Sequence, residues 1–398
     1  MYTKISLLFL LPFIVSSQCD EQNLYFSSDS EIESFIEINS DCKTIFSVTL
    51  TGPDITNLAL MSFFDTIHNL IIYNIPAVKD LEFLEKTEVL SSISLLSLDN
   101  IESLSKFYDS QPYNFHIISC PKIKSVNLSN DYYNNVTFHS PNLDVLVFDQ
   151  IDIASFDISN NVIIHTLEKI NINQMWLQNA TSYTSFASLA TVFNLDTLVN
   201  LQIVAYDQFS SEGFPDSMVC RGFSMSGIKN LNCDGFENKT AFFNTVSLTT
   251  LDNVKDLSSF DDMIAKKSII IAGLDSLTSL DGIPISENIE GIFISDNPML
   301  TDIQGIMKVN DTYRLSLIDN PQLATCNNRL VCDLIEAPNS ATRVKKILNF
   351  DYPTASGWSI RQNFSNLKVG NQIFFVIRHF YAKTSFYDSD ASIGEFKY

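Results

Sequence analysis

The feature that most constrains this chain is an apolar frame that returns at fixed offsets. If the first inward residue of a short alternating run is counted as zero, apolar residues follow at 2, 5, 8 and 11. The frame reads Leu70, Ile72, Ile75, Val78, Leu81, and then Ile93, Leu95, Leu98, Ile101, Leu104. It returns as Phe115, Ile117, Cys120, Ile123, Val126, later as Val246, Leu248, Leu251, Val254, Leu257, and again as Ile269, Ile271, Leu274, Leu277, Leu280. Phe223, Met225, Ile228 and Leu231 keep four positions and fail at Asp234. With 45% hydrophobic residues, one complete frame arises by chance about 2% of the time, so five near one spacing are a repeat. Two further units, Ile292-x-Ile294 and Leu315-x-Leu317, each lead into Asp-Asn-Pro and carry Asn297 and Asn320 at offset 5.

Such a period predicts a mainly β solenoid with coils of 22–23 residues, each burying its apolar face only by stacking on its neighbours. Offsets 0 and 2 alternate on a short strand and point inward. Offsets 5, 8 and 11 turn the chain around the remaining sides, and offset 14 (Leu84, Phe107, Phe260, Ile283, Ile306) extends the buried layer. Between Asn130 and Asn200 the frame blurs. Strands are expected near Leu146/Phe148 and Val162/Ile164, with a helical or irregular insertion within Tyr183–Leu201. This zone is taken as the junction of two halves, 18–200 and 201–345, and 346–398, which lacks the frame, as a terminal cap or tail.

The formal charge of −21 argues against nucleic acid, whose phosphates require clustered Lys and Arg, and equally against anionic lipid. Residues 1–17 read as a secretory signal peptide, with Lys4, the apolar run Ile5–Val15 and small residues before Gln18. That run is too short to span a bilayer, and no second span or lipid-anchor tail is read, so an exported chain is expected. Export agrees with six Asn-x-Ser/Thr sequons, at Asn127, Asn135, Asn179, Asn238, Asn310 and Asn363. It agrees also with seven cysteines.

Ile32, Phe35, Ile36 and Ile38 lie at helical spacing between Cys19 and Cys42, ahead of a strand at Ile45–Leu50. A helix there caps the end of the stack, and a Cys19–Cys42 bridge contributes roughly 3 kcal/mol in the chain-entropy model. Local pairing also couples Cys220 with Cys233 and Cys326 with Cys332. Cys120, at offset 5, is left as a buried free thiol acting as a small hydrophobe.

Chemistry is absent from the motifs. The five histidines show no metal-ligand spacing, and no phosphate loop or nucleophile elbow occurs, so neither cofactor nor enzymatic activity is expected. Asp99, Asp252, Asp275, Asp296 and Asp319 occupy two different offsets, as turn residues do and a calcium ladder does not. The informative surface is the open strand face at offsets −1, 1 and 3. It carries Ile71, Tyr73, Leu96, His116 and Ile118 early in the chain, and Ile270, Phe293 and Ile318 late. Outward apolar and aromatic patches mark interaction sites. None of the sequons falls at these offsets in a clear repeat, leaving the face free of sugar.

The entry Cys19…Asp41-Cys42-Lys43-Thr44-Ile45, the repeated Ile/Leu-x-Asp-Asn-Pro-x-Leu turns and the closing Leu323…Cys326…Cys332-Asp333 resemble the receptor L domain of insulin- and EGF-receptor ectodomains. The resemblance covers roughly residues 19–345. It implies a right-handed leucine-rich-repeat-like solenoid with disulfide-bearing caps, serving as a scaffold for an extracellular protein or peptide ligand or a receptor ectodomain. The chain departs from that family in having neither the cysteine-rich module between the halves nor a kinase, so only the binding scaffold carries over. The competing expectation is a structural matrix or surface-coat glycoprotein.

Overall fold

The computed structural model describes residues 19, 22–102, 104, 112–147, 149–309 and 311–324, and the strand backbone within 347–353, 359–362, 364–369 and 372–377. The expected leader at 1–17, Phe107, Phe148, the expected Cys326–Cys332 pair and the sequons Asn310 and Asn363 lie outside the described residues. The fold is mainly β, with 48% strand and 14% helix. Two compact units are present: Met1–Ala154 with Asn161–Glu168, and Ser155–Asn160 with Lys169–Tyr398.

In the first unit β1 (Asn23–Ser28) leads directly into α1 (Asp29–Ile38). Ser28 caps the helix by accepting the Glu31 N–H at 3.3 Å, while the Glu31 carboxylate accepts the Ser27 N–H at 2.6 Å. Asp29 accepts the backbone N–H groups of Thr56 at 3.0 Å and Asn57 at 3.1 Å, which docks the helix start onto the turn after β2 (Thr44–Asp54). Ile32 is buried, and the Phe35 ring meets Phe26 and Phe64 at 5.7 and 6.0 Å. Ile38 departs from the expected face and is exposed. The Cys19–Cys42 bridge is formed and ties this cap together.

β1 and β2 begin a parallel ladder that continues through β3 (Thr66–Tyr73), β4 (Glu88–Leu96) and β5 (Asn114–Ile118). A smaller parallel ladder joins β6 (Ser125–Leu128) to β8 (Asp144–Val147), and β8 to β10 (Ile163–Thr166). β7 (Tyr132–His139) pairs with β5, and β9 (Asp152–Ser159) supplies residues to both units. The zone read as blurred is therefore strand-rich.

The second unit holds β11 (Ile170–Gln178), the five-residue α2 (Phe186–Ala190), β12 (Phe193–Asn194) and β13 (Asn200–Val204). It continues through β14 (Gln208–Ser210), β15 (Ser217–Ile228), β16 (Asn230–Asn232), β17 (Thr240–Leu251), β18 (Met263–Ala272), β19 (Asn288–Ser295) and β20 (Asp311–Ile318). The parallel ladder runs β11–β13–β15–β17–β18–β19–β20, while β14 pairs with β16 apart from it. Beyond the frame, β21 (Ile347–Pro353) adds to β20, and two antiparallel pairings follow: β21 with β22 (Ser359–Gln362) and β23 (Phe364–Val369) with β24 (Gln372–Ile377).

The register carries the apolar frame from strand to strand. Leu70 faces Ile93, and Ile93 faces Phe115. Val246 faces Ile269, and Ile269 faces Ile292. The frame residues at offsets 0, 2, 5, 8 and 11 are buried in every described complete repeat. At offset 14 so are Leu84, Phe260, Ile283 and Ile306. In the second unit Phe186, Phe214, Phe236 and Phe260 fill the layer ring against ring, with centroids 4.9–5.0 Å apart.

In most repeats of the main ladder the residue at offset 4 lies in the left-handed backbone region, although Ser140 after β7 does not. Asn74, Ser97 and Ser119 occupy it in the first unit; Asn179, Ala205, Gly227, Thr250, Gly273, Asp296 and Asp319 occupy it in the second. The N–H of that residue then donates to the last carbonyl of the next strand. Asn74 donates to Leu96 at 3.0 Å, Ser97 to Ile118 at 2.9 Å, Gly273 to Ser295 at 3.0 Å and Asp296 to Ile318 at 3.0 Å. Asn, Asp and Gly suit this conformation because they tolerate positive φ.

The expected Cys220–Cys233 pair is not formed, since both thiols are free. Cys220 stands in the main ladder with its sulfur 2.9 Å from the Val199 carbonyl. Cys233 follows β16, which belongs to the separate ladder with β14. Closeness along the sequence places them on different sides of one repeat. Cys120 is free and buried, and burial pushes its thiol up to about 11.

Candidate functional site

In the first unit the strands turn three columns outward. The column farthest along the strands brings three of the sequence-predicted residues into direct register, with Tyr73 beside Leu96 and Leu96 beside Ile118. Thr51 precedes and His139 follows them. Neighbouring strands lie about 4.8 Å apart, so these side chains form one apolar row along the line of left-handed turns. Tyr73 is 46% exposed, whereas Leu96 and Ile118 are half-buried. Ile71 and His116 belong to the middle column, where Ser94 separates them.

The third column holds Asn69, Ser92, Asn114 and Asn135. Its amides are tied to the ladder: Asn69 donates to the Phe46 carbonyl at 3.3 Å and Asn114 to the Ser91 carbonyl at 3.0 Å. Asn135 heads a sequon, and it sits on this outward face in β7. The expectation that the strand face carries no sequon is corrected at this position. Its repeat lay inside the blurred zone, so its offset was not legible. Asn179 and Asn238 are exposed at positive-φ positions off the strands, and Asn127 lies in β6 of the smaller ladder.

In the second unit Ile270 faces Phe293, and these two are flanked by Ser247 and Ser316. Ile270 is 36% exposed. The Phe293 ring lies back along its own strand, in space that exists because residue 291 is glycine; a Cβ there would stand 2.8 Å from the ring. Ile318 pairs with Ser295 and does not join them. The late group is therefore an apolar pair and a separate residue, set among serines.

A second feature of this face was missed from the sequence. Trp176 on β11, 46% exposed, stands beside Gln202 on β13, and Gln202 beside Ser224 on β15. Gln174, Asn200 and Gly222 form the adjacent column. Together they line a shallow groove of about 270 Å³. The alternation Met175-x-Leu177 was the available signal for this strand.

Among the described residues, no helix is long and apolar enough to cross a membrane. No protein-family model, curated protein or solved structure matches the chain.

Proposed function

We propose that this chain is an exported, glycosylated binding protein that captures an extracellular protein or peptide, or a receptor ectodomain, on its open strand face. In this reading the parallel ladders are the sheet of a right-handed solenoid of the receptor L-domain kind, with coils of 22–23 residues. Residues 1–17 act as its export leader. The scaffold does no chemistry; burial of apolar surface supplies the affinity.

The observation that carries the reading is the row Tyr73–Leu96–Ile118. Three large side chains are held outward in register by the most regular part of the first unit. An exposed tyrosine at the centre of a partner's footprint is the kind of residue that dominates binding energy. A spacer with no ligand would be served equally well by the Ser and Asn that fill the neighbouring column.

The test is capture from extracellular fluid by the purified chain, compared with a Tyr73→Asp/Leu96→Asp variant. Both positions face outward, so the variant should keep its melting temperature and lose the partner. A partner retained at unchanged affinity sinks the reading of this row as the site, and a parent chain that captures no partner leaves the structural matrix role.

A further inference from the structure

We propose that the groove around Trp176 is a binding site for a neutral oligosaccharide. It is separate from the Tyr73 row in sequence, unit and chemistry.

The composition of the groove defines its ligand. Its lining contains no charged side chain, although the chain as a whole carries a formal charge of −21. Phosphate, sulfate and carboxylate ligands would find no cation there, and a basic ligand would find no anion. What the groove offers is one broad exposed indole flanked by carboxamides and hydroxyls: Trp176, Gln174, Asn200, Gln202, Ser224 and Ser247. Such a surface suits a ligand with an apolar C–H face for the ring and many hydroxyl donors and acceptors for the amides. A pyranose presents both.

Two further observations favour this site. Among the described residues, the side chains of Gln174, Asn200, Gln202, Ser224 and Ser247 are not spent on internal hydrogen bonds, unlike the outward amides of Asn69 and Asn114. The floor is also lowered at Gly222, where a Cβ would stand 2.7 Å from the Asn200 Oδ1. From β11 to β17 the groove crosses three strand spacings, roughly 14 Å, the reach of a short run of sugar rings. It opens on the face of the ladder, where the main-chain groups are already paired strand to strand. A peptide therefore has no free edge to which it could add as a strand.

The test titrates the full chain with cello-, manno-, laminari- and chitohexaose by calorimetry. A heparin hexasaccharide and a neutral Gly/Ser peptide serve as comparators. The chain has two tryptophans, so in a Trp358→Phe background the emission of Trp176 reports occupancy of the groove directly. We expect saturable binding of at least one neutral hexasaccharide with a shift in Trp176 emission. Trp176→Ala should weaken it about tenfold or more. Ser224→Phe, which fills the groove from an outward position, should do the same at unchanged melting temperature. The proposal is overturned if no neutral sugar binds, if only the heparin fragment or the peptide binds, or if sugar binding survives both substitutions. Loss of partner capture through Tyr73 and Leu96 would not alter these outcomes.

Discussion

The side-chain amide of Asn297 donates to the Oδ1 of Asn320 across 2.9 Å, joining two neighbouring repeats inside the core. Asn297 Oδ1 in turn accepts the Leu274 N–H at 3.0 Å, and its amide reaches the Ser295 carbonyl at 2.9 Å. Asn320 donates to the carbonyls of Ile294 and Ile318 at 3.0 and 2.9 Å. The repeated Asp-Asn-Pro turns are thus structural corners whose asparagines satisfy buried backbone groups. Asn297→Ala orphans the buried Leu274 N–H, while the backbone N–H of residue 297 still donates to Asn320 Oδ1, and should cost roughly 1–3 kcal/mol. Chemical denaturation of the purified chain measures it.

Thr250 occupies the left-handed corner with φ of 53°, where its counterpart in the next repeat is Gly273. A β-branched residue is strained in that conformation. Its side chain is exposed, so little packing is lost on removal. Thr250→Gly should therefore raise stability by about 1 kcal/mol, despite the added freedom of the unfolded chain. The reverse change, Gly273→Thr, should lower it by a similar amount. A thermal melt of the pair reads both signs.

The cap should be sensitive to acid through Glu31. The Ser27 backbone N–H, and after it the Ser27 hydroxyl, hold its carboxyl below the ordinary value of 4.5. A folded-state pKa that is depressed gives stability that is present above the unfolded value and lost as pH falls through the folded one. Glu31→Gln should lower the melting temperature at neutral pH. The gap between variant and parent should close in acid, once the parent carboxyl is protonated. A gap that stays constant with pH would show that the charge on Glu31 contributes nothing.

Glycan mapping of the chain expressed through a secretory pathway should find sugar on Asn179 and Asn238, which are exposed at turns, and none on Asn135. An occupied Asn135 would place a bulky polar chain on the strand face beside Asn114. That result would overturn partner capture on this sheet.

Much of the architecture was legible because one strand position dictates the next. Residues such as Leu70, Ile93 and Phe115 are apolar for one reason, a shared place in the ladder. The frame was lost where its members are small or carry a hydroxyl. Met175, Leu177, Ala180, Tyr183 and Phe186 hold offsets 0, 2, 5, 8 and 11 and are all buried, yet Ala180 and Tyr183 make a weak periodic signal. Losing that repeat hid the outward Trp176 and the groove with it. β1 was missed for a different reason. Only Phe26 of that strand is buried, so it has no alternation to betray it. The thiols of Cys220 and Cys233 misled because nearness in sequence says nothing about which side of a repeat a residue occupies.

The corner at offset 4 also limits how the chain tolerates changes in length. Losing a single residue from β18 would exchange inside for outside along the rest of that strand and misplace its left-handed turn. Removing the whole stretch from Ile269 to Gly291 would instead bring Val246 against Ile292, apolar against apolar, with Thr250 leading on to Asp296. The gene for such a chain can therefore grow or shrink by entire repeats while remaining intolerant of anything smaller.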